Sequence, residues 1–94
     1  MRKTKIIATI GPATNSRDKI DQLIHAGLDV ARINLSHHAS PSHLRKKVQL
    51  IRAQGSKFEK SIAILFDLGG PKIRVGKITG AKAIKIEKGK KYSL

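Results

Sequence analysis

Val30-Ala31-Arg32-Ile33-Asn34-Leu35-Ser36-His37 alternates in chemistry from Ala31 onward, one side chain apolar and the next polar. Residues two apart in a strand share a face, so a strand here sets Ala31, Ile33 and Leu35 on one side and Arg32, Asn34 and Ser36 on the other. A crossover helix can cover the first face. The second offers a cation, an amide and a hydroxyl in a row toward the strand's C-terminal end. An unpaired charge is costly to bury, so Arg32 on that face calls for an anion, a carboxylate or water in front of it.

Working outward, Thr4 to Ile10 is a β-branched run closed by Gly11-Pro12, which predicts a strand and a turn. Asn15 or Ser16 can cap a helix with Asp18 in its first turn and the apolar stripe Ile20, Leu23, Ile24, stopped by Gly27. Val30 to Ser36 is the second strand. Ser40-Pro41 then opens a helix with the stripe Leu44, Val48, Ile51, expected to end near Gly55. Ile62 to Phe66 is a third, wholly apolar strand, followed by Asp67-Leu68-Gly69-Gly70-Pro71, whose glycines suggest a turn requiring small residues. Strand, helix, strand, helix, strand is the βαβ pattern of an α/β fold, and such apolar strands predict a parallel sheet covered on both faces. Three strands are too few to finish a (β/α)8 barrel, which takes about 250 residues. Beyond Pro71 the helical period is lost. Ile73 and Val75 alternate with Lys72 and Arg74, and residues 83–94 read as strand, turn, strand.

The chain has 94 residues, no cysteine, and 20 Lys plus Arg against 6 Asp plus Glu, a formal charge of +14. No disulfide or thiolate-metal framework is available, which fits a reducing, cytoplasmic setting, and no run approaches a membrane span. The charge calls for an anionic partner. Phe58, Phe66 and Tyr92 are the only aromatics, too few for base-stacking platforms, so specific nucleic-acid recognition is not expected. Small phosphorylated metabolites fit the charge equally well. Residues 71–94 carry eight of the basic residues and one acid, Glu87, which marks a change of region near Pro71.

Ligands of parallel α/β folds sit at the C-terminal ends of the strands. Those ends carry Thr9-Ile10-Gly11-Pro12, Asn34-Leu35-Ser36-His37 and Asp67-Leu68-Gly69-Gly70-Pro71. Arg32 and Arg74 are candidate phosphate binders, because a guanidinium fork matches phosphate oxygens two at a time. Asn34, Ser36 and Asp67 form a hard-oxygen set suited to a cation of low charge or to holding Arg32. His37, His38 and His43 are close in sequence, but extended neighbours point apart, which argues against a metal site.

Thr4-Lys5-Ile6 with Thr9-Ile10-Gly11-Pro12-Ala13, then Ala31 to His37, then Asp67-Leu68-Gly69-Gly70-Pro71-Lys72-Ile73-Arg74 resemble the first three signature motifs of pyruvate kinase, in order and at family spacing. The resemblance covers essentially the whole chain. It implies the first three strands and two helices of a (β/α)8 TIM barrel over residues 1–70 and the beginning of a β-rich lid domain over residues 71–94. The implied reaction is phosphoryl transfer from phosphoenolpyruvate to ADP, giving pyruvate and ATP, in a cytoplasmic glycolytic homotetramer. Arg32 resembles the arginine at the transferring phosphoryl group. Asn34, Leu35, Ser36 and His37 resemble the nucleotide-phosphate segment, with Arg74 as the second phosphate-facing arginine. Asn34, Ser36, Asp67 and the carbonyl of Leu68 resemble potassium ligands. At the position of Lys72 the family divides between Glu and Lys, and the Lys form tends to work without potassium. The family's catalytic lysine and the acids that hold Mg2+ belong to later motifs, expected beyond Leu94. Three charge-assisted contacts at about 2 kcal/mol each, less an association cost of at least ~4 kcal/mol, leave millimolar binding or worse. The 94 residues alone are therefore expected to be inactive. A stand-alone basic nucleic-acid-binding module and a non-catalytic truncated remnant are the alternatives.

Overall fold

Two serines open the two helices, and the packing follows from where those helices start. In the computed structural model, which describes residues 2–36, 40–78, 80 and 83–93, the order is β1 (Ile7–Thr9), α1 (Arg17–His25), β2 (Val30–Asn34), α2 (Pro41–Lys57) and β3 (Ala63–Asp67). The Ser16 side chain accepts from the Lys19 N–H and that of Ser40 from the His43 N–H, with Pro41 at the first helical position of α2. α1 ends where expected. Gly27 takes φ +107°, its N–H donates to Ile24 O, and the Leu28 N–H reaches back to Leu23 O, a Schellman closure that needs a left-handed residue.

The strands form a parallel sheet in the order β1-β2-β3, with Thr9 opposite Arg32, Arg32 opposite Leu65 and Asn34 opposite Asp67. Right-handed crossovers between successive neighbours put both helices on the same side. The expectation of a sheet covered on both faces is corrected accordingly. Ala31 and Ile33 are buried under the helices with Ile20, Ile24, Leu28 and Ile51, and Ile10 completes this core. The other face, bearing Ile7, Thr9, Val30, Arg32, Asn34, Ala63, Leu65 and Asp67 by register, has no layer over it among the described residues.

Two acids outside the expected site fasten this arrangement. Asp29, just before β2, accepts from the Ile6 N–H (2.8 Å) and from Arg2 (3.1 Å), with Lys60 Nζ at 3.8 Å. Asp21 on α1 meets Gln54 and Lys57 of α2, the latter at 2.8 Å, and so joins the two helices. Both carboxyls titrate below the ordinary aspartate range. For Asp29 the backbone hydrogen bond from Ile6 is the main cause, and for Asp21 the bonds from Lys57 and then Gln54.

α2 ends at Lys57, near Gly55 as expected, with that glycine inside its last turn. Gly55 has a different task. A Cβ there would lie 2.7 Å from the Lys60 carbonyl oxygen, because the lead-in to β3 crosses the last turn of α2 and the Lys60 N–H donates to Gly55 O (2.9 Å). Gly69 and Gly70 are less constrained than expected. Neither takes positive φ and a Cβ on either would meet nothing closer than 3.9 Å, since the chain after Asp67 runs out in the open. The strand-turn-strand expected over residues 83–94 is also corrected: the described part forms no strand, only a turn at Lys88-Gly89, with Tyr92 Oη accepting from the Glu87 N–H and donating to Lys85 O. An isolated two-stranded hairpin is marginal in water without a further strand or helix against it, and Ile84, Ile86 and Tyr92 are exposed here. Thr79, Ala81, Lys82 and Leu94 lie outside the described residues.

Replacing Gly55 by Ala should lower stability by roughly 1–2 kcal/mol despite alanine's better helix propensity, because the clash is with backbone; thermal unfolding reads this as a lower Tm. Acid should act through Asp21 and Asp29. Their folded-state pKa values lie below the unfolded value of 3.8, so their contribution is full above that pH and is lost as pH falls through the folded values. Urea midpoints should therefore drop between about pH 5 and pH 2, and the drop should be shallower in Asp29→Asn.

Candidate functional site

The C-terminal ends of the three strands carry one connected polar cluster. Arg32, in the middle strand, is about one-third exposed along its side chain; its Nη1 donates to Thr9 Oγ1 of β1 at 2.9 Å and its Nη2 pairs with Asp67 Oδ2 of β3. The pairing partner of Arg32 on β3 is Leu65, so the side chain leans two residues along the sheet, toward the strand ends. Asn34 follows on the same face. Its Oδ1 accepts the Ser36 N–H at 2.9 Å, and the Leu35 N–H donates to Asp67 O at 3.0 Å while the Leu35 side chain packs on the core. The second of these bonds extends the link between β2 and β3 past the last regular pair.

Ser36 Oγ is buried and has no hydrogen-bond partner among the described residues. This orphaned hydroxyl, with the Asn34 amide oxygen and the Asp67 carboxylate on neighbouring strand ends, is a hard-oxygen set of the kind that suits a monovalent cation. Leu68 is largely exposed just past β3. Lys72 and Arg74 are exposed in the extended segment beyond it, and neither makes a hydrogen bond or ion pair to the strand ends among the described residues. His37 lies outside the described residues, as does His38. No group of three or more His, Cys, Asp or Glu residues with metal-binding geometry occurs among the described residues.

Beside the cluster is an open cavity of about 680 Å3. Thr9, Gly11, Pro12 and Asn34 line it at the strand ends, and Asn15, Ser40, His43 and Lys47 line it toward the helices. Thr14 shapes the near wall: its Oγ1 accepts from the Gly11 N–H (2.9 Å) and donates to Thr9 O (3.2 Å), closing the turn after β1. Of the expected site residues, the fold thus brings together Arg32, Asn34, Ser36 and Asp67. It leaves Arg74 and Lys72 apart. The sequence reading gave Asn15 and Ser40 capping roles only, quoted Thr9 only as part of the first strand's end, and left Lys47 without a role. Thr9 had one usable signal, a polar residue at the end of an otherwise apolar strand, but its contact with Arg32 depends on the β1–β2 register.

Three parallel strands with both helices on one side and a cationic, oxygen-rich cluster at their C-terminal ends are consistent with a segment of a (β/α) barrel, a fold whose ligands sit at those ends. The family model for the pyruvate kinase barrel domain matches residues 1–94. Similar curated proteins include a pyruvate kinase of Thermococcus litoralis, 48% identical over 98% of this chain, and one of Methylorubrum extorquens, 43% identical over 99%. Pyruvate kinase 2 of Synechocystis is 44% identical over 99% of the chain. The chain belongs to the pyruvate kinase family. It spans 19% of the length of the first two relatives and 16% of the third.

Proposed function

We propose that this chain supplies the phosphoryl-binding corner of a pyruvate kinase, which moves a phosphoryl group from phosphoenolpyruvate to ADP to give pyruvate and ATP. The observation that supports this most directly is the Arg32 fork, held in the middle strand between Thr9 and Asp67, its side chain leaning toward the strand ends. In this transfer the bond from phosphorus to the enol oxygen breaks, a bond to a β-phosphate oxygen of ADP forms, and the enolate carbon takes up a proton. Charge on the transferring group spreads over its outer oxygens, so a preset guanidinium lowers the barrier by position and field. Among the described residues, two of the five N–H donors of Arg32 are engaged, by Thr9 and Asp67, which leaves three to offer a ligand.

Phosphoenolpyruvate and ADP or ATP are accordingly the partners of this site, with Asn34 to His37 at the nucleotide phosphates and Arg74 brought in by the lid that begins at residue 71. Bound Mg2+ supplies charge neutralisation of the phosphates; the acids that would hold it fall in later family motifs, as does the catalytic lysine. Asn34, Ser36, Asp67 and the Leu68 carbonyl would hold potassium. The ammonium of Lys72 supplies the charge that the ion supplies elsewhere, so the enzyme accepts potassium without needing it. A cytoplasmic homotetramer is the assembly proposed.

The test is pyruvate formation from phosphoenolpyruvate and ADP by the enzyme carrying these 94 residues. Turnover is expected, and a folded, Mg2+-supplied enzyme that makes no pyruvate overturns the reading. Arg32→Lys keeps the charge but loses the fork; at about 1.5–3 kcal/mol per charged hydrogen bond it should lower kcat/KM by roughly 10- to 100-fold. Replacing potassium with a tetraalkylammonium salt should change the rate less than about twofold, well short of the tenfold that 1.4 kcal/mol represents.

A further inference from the structure

Thr9 is the residue at which the cavity wall and the arginine meet. Its Oγ1 accepts the Arg32 Nη1 proton at 2.9 Å, its carbonyl oxygen accepts the Thr14 hydroxyl at 3.2 Å, and the residue itself lines the 680 Å3 cavity. Thr14 in turn holds the Gly11 N–H at 2.9 Å, so the turn that forms the near wall is built on the same strand end that steadies the guanidinium. Asp67 alone fixes one end of the fork. A guanidinium tied by one nitrogen can still swing about that contact, and Thr9 is the second tie recorded for the side chain, on the opposite strand.

We infer that Thr9 is a positioning residue for Arg32: its hydroxyl oxygen sets the plane of the guanidinium that receives the transferring phosphoryl group. This rests on the phosphoryl-transfer reading of the site. The role asks for an acceptor atom and not merely for bulk. A β-branched residue suits the strand, and valine would fill the same space without the oxygen. Serine would keep the oxygen with less bulk. Because the effect passes entirely through Arg32, it vanishes once Arg32 is gone. That non-additivity separates positioning from packing, since residues acting through one shared partner do not add.

The experiment is a double-mutant cycle in the complete enzyme, measuring pyruvate formation at varied phosphoenolpyruvate and saturating ADP, with Tm alongside. Thr9→Val should lower kcat/KM for phosphoenolpyruvate by roughly tenfold, the scale of one charge-assisted hydrogen bond, with Tm nearly unchanged. Thr9→Ser should stay within about threefold of the parent, since it retains the acceptor. In the Arg32→Met background, Thr9→Val should have no further effect on the residual rate. If Thr9→Val does not fold, Thr9→Ala removes the same oxygen and carries the same cycle. A Thr9→Val enzyme equal to the parent, or a loss that persists undiminished in the Arg32→Met background, overturns the role of Thr9 while leaving pyruvate formation by the parent intact. A parent enzyme with no pyruvate formation overturns the phosphoryl-transfer reading itself.

Discussion

The contact on which the upper half of the sheet depends is the reach of Arg32 to both neighbours, Thr9 on one side and Asp67 on the other. A cation on an uncovered sheet face faces a choice between water and a fixed partner, and here the parallel register supplies partners on both flanking strands. The result is polar cross-linking at the strand ends, where the helical core no longer reaches. The guanidinium is held partly exposed, with donors left over. That is the electrostatic condition for receiving a phosphate: the charge is compensated well enough to be tolerated and not so fully that an incoming anion gains nothing.

The opposite end of the sheet is organised by another acid. Asp29 joins Arg2, the Ile6 N–H and Lys60, so the lead-ins to all three strands converge on one carboxylate. Asp21 does the same between the helices. In a chain with 6 acids and 20 basic residues, acids placed at these junctions do more than neutralise: Asp21 ties α1 to α2, and Asp29 gathers the segments that lead into the strands. The surplus of positive charge is left on exposed side chains such as Arg45, Lys46 and Arg52 of α2.

The two faces of the sheet divide the labour between folding and chemistry. The helix side holds Ala31 and Ile33 under Ile20, Ile24 and Ile51 and supplies the burial that stabilises the fold. The bare side is apolar at the strand starts, where Ile7 lies opposite Val30, and polar at the ends, where Asn34 lies opposite Asp67, with exposed Leu65 level with Arg32 between them. In a family of barrels this is the side that faces inward, and the gradient along it sets the polar cluster at one mouth.

Local chemistry was enough to read much of this from the residues. Ser16, Ser40-Pro41 and Gly27 act within four or five positions of themselves, so helix starts and the end of α1 follow from sequence. The alternation in Ala31 to Ser36 likewise decides which side of β2 is buried, because the period of a strand is fixed at two. The end of α2 near Gly55 was legible too, but the need for a glycine there was not, because it lies in the Lys60 carbonyl that folds back over it. The tail beyond Pro71 has strand-like alternation, yet alternation cannot make a ladder without an edge to pair with. Thr9 and Asp67 meet Arg32 only once the register of three strands is set, and the Asp29 junction likewise joins residues more than twenty positions apart. Sequence by itself determined the elements, the buried face and the family; tertiary structure decided which polar side chains meet, since contacts across strands depend on register and crossover handedness, which no single stretch of chain contains.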